Sequence, residues 1–238
     1  MLAYHNDPAL KANLLASLEQ HRLADHIVGG QYWRDGKGCS VGCALESLGQ
    51  IEAAEKGDHA LLGQLTGYGE MLQRLNDSIF ERLTGEAKQH WPGRFAAAAE
   101  PGADLSLVPW QFLDRMLQRT FALLPDDSSV RAGCAAALAV VAAKARGEAV
   151  SVKAARAAAD AANAVRAAEA AYAAACAAAY AADAAAYAAD AAADAAYAAD
   201  AAYAADAAAA AAYAAYAAEA QQQADDLIAL IAAAPVLP

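Results

Sequence analysis

From Arg156 to Glu219 the chain is mostly alanine, broken almost only by single Tyr, Asp or Glu residues three or four positions apart. No Gly or Pro occurs from Glu148 to Ala234, and alanine is the best helix former. Read literally, this is one helical element, about 130 Å long at the rise of an α-helix. Such an element must pair with another chain, fold back or curve. Alanine carries no acid, base or nucleophile, so the tract is expected to be architectural or contact-making. Any chemistry belongs to the other half of the chain.

The spacing of the marked positions is specific. Tyr172, Cys176, Tyr180, Asp183, Tyr187, Asp190 and Asp194 follow one another at gaps of 4, 4, 3, 4, 3 and 4. On an α-helix these seven fall within an arc of about 80°, a single straight stripe. Steps of 11 residues (Tyr172, Asp183, Asp194) give a period of about 3.67, which favours a right-handed supercoil. From Asp194 through Tyr197, Asp200 and Tyr203 to Asp206 every gap is 3, as it is from Asp160 to Tyr172. Triplets wind round an α-helix but line up on a 3₁₀-helix, whose long runs are rare. The first expectation is α, with 3₁₀-like stretches or a curved helix as the alternative.

Small side chains let helix backbones approach closely, Asp keeps the marked stripe solvated, and Tyr adds stiff amphipathic contact area. The expected interaction surface is Tyr172, Tyr180, Asp183, Tyr187, Asp190, Asp194, Tyr197, Asp200, Tyr203, Asp206, Tyr213 and Tyr216. The competing reading is an ordinary amphipathic face that covers a neighbouring helix.

Charge excludes some partners. The net charge is −11, and no Lys or Arg follows Arg166, so the basic footprint of a nucleic-acid binder is missing. Lys144, Arg146, Lys153, Arg156 and Arg166 gather near the start of the tract, where they offset acidic charge. The tract is not expected to span a membrane, because each Asp would cost about 2.5–3.5 kcal/mol at mid-bilayer. Met1–Asp7 shows no basic region followed by an apolar run, so no secretory signal is expected. The four cysteines, Cys39, Cys43, Cys134 and Cys176, do not form the framework of a small disulfide-rich domain. A cytoplasmic protein without a cofactor is the resulting expectation.

The first half reads as punctuated helices, and the expected fold is all-α. Asn6 or Asp7 with Pro8 starts a helix carrying Leu10, Leu14, Leu18, Ile27 and Val28 and ending at Gly29-Gly30. Tyr32 to Gly38 is a loop, followed by a helix with Val41, Leu45, Leu48 and Ile51. Asp58 caps a short helix, and Met71, Leu72, Leu75, Ile79, Phe80 and Leu83 define another. Thr84 and Asp104 mark two further starts, the second with Pro109 in its first turns. A last helix runs from about Ser128 to Arg146. No stretch alternates well enough to predict a strand. The expected organisation is a helical head over 1–147, the alanine-rich tract over 148–220, and a C-terminal capping helix and tail over 221–238.

Within the head, Cys39 and Cys43 share a helical face at i, i+4, and with His26 they form a candidate metal set. The alternative is that both thiols are buried as small apolar groups. A nucleophilic Cys39 at a helix start, with Lys37 nearby and His26 as base, is a further alternative. Gly36, Gly38 and Gly42 around Lys37 lack the spacing and preceding strand of a phosphate-binding loop. Trp33, Trp91 and Trp110 read as core anchors, and Glu81, Glu86 and Asp104 form no recognisable acid/base pair.

The segments His21–Trp33, Gly36–Cys43, Trp91–Phe95 and Gly102–Leu107 together resemble a family of uncharacterised bacterial and phage-associated proteins. Those have a helical head, a segment like Gly36-Lys-Gly-Cys-Ser-Val-Gly-Cys43, and an alanine-rich repeat tail. The resemblance covers nearly the whole chain and implies no activity. Members of that family often carry a His soon after the second Cys, where this chain has Glu46-Ser47. The expected function is a non-enzymatic structural or interaction protein whose tract acts as a scaffold or self-association surface toward protein partners. The alternatives are a small metal-binding or cysteine-dependent enzyme centred on the head, and an ice-binding helix. Threonine is absent from the tract and its charged stripe suits an ice plane poorly.

Overall fold

Asp7 caps the first helix through its carboxylate, which accepts the Ala9 N–H at 2.8 Å, while Pro8 fills the first helical position. The computed structural model describes residues 2–123, 129–151 and 218–237. The Tyr/Asp stripe, with its choice between α and 3₁₀ geometry, lies outside them. The helices are α1 (Pro8–Leu23), α2 (Ser40–Ser47), α3 (Ile51–Lys56), α4 (His59–Thr66), α5 (Glu70–Arg82), α6 (Gly85–Ala97), α7 (Val108–Leu123), α8 (Ser129–Ala145) and α9 (218–232). The described part of the chain is mostly helical. No helix in it is long and apolar enough to cross a membrane.

Three expectations are corrected. The first helix ends at Leu23, not at Gly29: Asp25 turns left-handed (φ 56°) and the His26 N–H closes onto the His21 carbonyl at 2.9 Å. Ile27 still reaches the core, but from an extended segment bridged to Gly38. The stretch expected as loop contains a two-residue hairpin, β1 (Trp33–Arg34) and β2 (Lys37–Gly38), with Arg34 paired to Lys37. Asp35 and Gly36 both have positive φ (53° and 77°), the geometry a tight two-residue connection demands. The helix expected through Ile51 is also two helices, α2 and α3, separated at Gly49 with φ 73°.

Asp58 caps α4 by accepting the Leu61 N–H at 2.9 Å. Around this frame α4 packs on α5, α1 on α6, and α2 against α1, α3 and α5. The apolar centre holds Trp91, Tyr4, Phe80, Leu45, Leu62, Leu72 and Ile79, all essentially inaccessible. Trp91 and Phe95 stack at a tilt, 5.7 Å between ring centres.

Helix α9 completes the core. Ala220, Gln223, Ala224, Leu227 and Ile231 are buried, the spacing of one helical face. Asp225 pairs with Arg94 at 2.8 Å. Beyond the helix, Val236 bridges Ala103, while Asp104 bridges Leu2. The segment 102–104 therefore ties both chain ends. Contacts divide the chain into one compact unit of Met1–Leu113, Ala145–Gly147 and Ala217–Pro238 and a second of Asp114–Lys144 and Glu148–Tyr216. In the second unit Arg131 lies over the Phe121 ring at 4.3 Å and donates to its carbonyl.

Candidate functional site

Polar and reactive side chains of the first unit collect around the start of α2. Cys39 is its N-cap residue and is wholly buried; its N–H donates to the carbonyls of Gln31 and Tyr32 at 2.9 and 3.0 Å. The Gly29–Tyr32 segment is thereby laid over the helix start. Gly38 and Gly42 make the approach possible, since a Cβ on either would fall within 2 Å of the Tyr32 carbonyl oxygen.

Beneath that segment the face of α5 presents Asp77 and Glu81, one turn apart. A ligand-type atom from each of Cys39, Asp77 and Glu81 lies within 4.8 Å of the others. Asp77 Oδ2 meets His59 Nε2 at 3.2 Å, whereas Asp77 Oδ1 is buried and reached by no N–H or O–H donor. Glu81 accepts the Gly30 N–H at 3.0 Å and approaches Lys88 Nζ at 4.0 Å. The Tyr32 ring stands edge-on to His59, 5.7 Å between centres. Burial pushes the Cys39 thiol well above its ordinary value; the Gly42 N–H acts against that, and the Asp77 charge adds to it. The isolated side chain is therefore a protonated thiol.

The candidate set Cys39, Cys43 and His26 is divided between two places. Cys43 is buried in α2 and donates to the Gly38 carbonyl at 3.3 Å. Burial, then the Glu46 charge, pushes its thiol up to about 12. His26 faces His21 instead, Nδ1 to Nδ1 at 3.4 Å, with both rings edge-on to Trp33. His21 is buried, and its Nε2 lies 2.9 Å from Glu46 Oε2. Lys37 pairs with Asp25 at 3.9 Å, and Gly36 serves the hairpin turn.

A second polar cluster runs through the core. Asn76 Oδ1 accepts from Ser40 Oγ and from Trp91 Nε1, each at 2.8 Å, and Asn76 Nδ2 donates to Gln73. Gln73 continues to Thr66, which donates to the Leu62 carbonyl. Tyr4 and Tyr68 approach each other hydroxyl to hydroxyl at 3.2 Å, and burial pushes the Tyr4 phenol up to about 12. All of these but Trp91 line a cavity of about 20 Å³, room for roughly one water. The chain of bonds through Ser40, Asn76, Gln73, Thr66 and Trp91 joins α2, α4, α5 and α6.

Sequence reasoning missed Asp77 as a functional residue and considered Glu81 only for acid/base pairing. Their i, i+4 spacing on a strongly amphipathic helix was the available signal. Comparison with protein-family models, curated proteins and solved structures found no match, so the site stands on its geometry.

Proposed function

We propose that this chain is a non-enzymatic interaction protein, in which a helical unit holds the alanine-rich Tyr/Asp tract as a self-association surface. The observation that carries the reading is where the tract is attached. Ala145–Gly147, just before it, and Ala217–Pro238, just after it, belong to the same compact unit. Helix α9 is anchored by Leu227 and Ile231, both at 0% exposure, so the tract is an insertion held at both ends. Holding both ends lowers the entropy lost when a contact surface is ordered. Tyrosines at regular spacing supply contact area with few rotatable bonds. The Tyr side chains carry the self-contact, and the acidic stripe disfavours nucleic acid and anionic lipid.

The test is analytical ultracentrifugation of the full chain beside a variant with Tyr187, Tyr197 and Tyr203 changed to Ser. The expected result is concentration-dependent association of the wild type, weakened about tenfold or more in the variant, with unchanged thermal unfolding of the first unit. A wild type that stays monomeric throughout the concentration range removes the self-association reading.

A further inference from the structure

We propose that Cys39, Asp77 and Glu81 form a binding site for a divalent transition-metal ion of the zinc and ferrous class. Three features of the first unit carry this. The donor set is one sulfur and two carboxylates, with atoms from all three within 4.8 Å of one another, close enough to converge on one ion by small side-chain rotations. The buried oxygen Asp77 Oδ1 is reached by no N–H or O–H donor and the Cys39 thiol is the carboxylate's other close partner, an under-satisfied state that a cation relieves. The other Asp77 oxygen is held by His59, the outer-sphere arrangement that orients a ligating carboxylate.

Access and selectivity follow from the same residues. Cys39 is fully enclosed, whereas the Glu81 side chain is 38% exposed, so an ion enters from the Glu81 side, past Gly29 and Gly30. The thiolate is a soft ligand that favours zinc-like ions over Mg²⁺ and Ca²⁺, which take oxygen. On binding, the Cys39 S–H bond breaks, a sulfur–metal bond forms, and the proton passes to solvent, so affinity rises with pH. Lys88, 4.0 Å from Glu81, is the cation that the metal ion displaces from the carboxylate.

Co²⁺ titration of the full-length chain tests this, because cobalt bound to a thiolate shows a near-ultraviolet charge-transfer band. One equivalent is expected to produce the band, Zn²⁺ to remove it, and Mg²⁺ to leave it unchanged. Cys39→Ser is expected to abolish it, while Cys43→Ser and the pair Cys134→Ser, Cys176→Ser retain it. Glu81→Gln alters an exposed side chain and tests the site even where Cys39→Ser fails to fold; it should weaken Co²⁺ binding about tenfold or more. Absence of the band at saturating Co²⁺, its survival in Cys39→Ser, or an unchanged Co²⁺ affinity in Glu81→Gln overturns the proposal.

Discussion

His21 shows how one buried side chain couples this fold to pH. Burial lowers its pKa below the ordinary 6.5, Glu46 opposes that shift, and the charge of His26 adds to it. A depressed folded value means that the unfolded chain takes up the proton first. The contribution of neutral His21 is therefore complete above about pH 6.5 and is lost as pH falls from there toward the folded pKa. Chemical denaturation between about pH 8 and about pH 5.5 should show falling stability, and His21→Gln should flatten the slope. Glu46→Gln should steepen it, because the one group that raises the His21 pKa has gone. A flatter slope in Glu46→Gln would contradict this assignment. Asp225, whose pKa the Arg94 hydrogen bond lowers, loses its contribution only below about pH 4, outside this window.

At the scale of elements, two glycines in helices make opposite forecasts. Gly42 in α2 faces the Tyr32 carbonyl oxygen, which an added Cβ would meet at 1.7 Å, whereas Gly93 in α6 has nothing within 4 Å. Gly42→Ala must displace backbone, so a loss of about 1–3 kcal/mol or more is expected. Gly93→Ala should gain about 0.5–1 kcal/mol from helix propensity. Urea midpoints of the two variants, measured side by side, check the pair; equal shifts would mean that the Gly29–Tyr32 segment does not sit on α2. That contact also explains what sequence reasoning could reach. Asp7-Pro8 and Asp58 announce their helices through local chemistry, and the structure has both caps. Asp35-Gly36 is an equally local hairpin signal, but the flanking pairs Trp33-Arg34 and Lys37-Gly38 are too short to alternate visibly. The end of α1 was hidden because Ile27 and Val28 extend an apolar pattern that the chain buries from a strand-like segment. Asp77 and Glu81 share a helix face legibly; their meeting with Cys39 does not read from spacing, because it depends on α2 packing against α5.

For the molecule as a whole, the last helix decides whether the first unit is one cooperative body. Leu227 and Ile231 are fully buried, and residues 235–237 bond to 102–104, so the chain's end is part of the same core as Leu72 and Trp91. Apolar burial is the main stabilising term, and truncating a fully buried Leu removes both transfer energy and packing, about 2–5 kcal/mol. Leu227→Ala and Leu72→Ala should each lower stability by amounts in that range. In both variants, tryptophan fluorescence and amide exchange across 220–232 should report one shared midpoint. Were α9 only an appended tail, Leu227→Ala would free the amides of 220–232 while leaving the fluorescence midpoint in place. A shared midpoint means that α9, which follows the alanine tract, stays in place until the whole unit unfolds. The end of the tract that runs into α9 is then held as firmly as the core itself, as the proposed presentation of the Tyr/Asp surface requires of it.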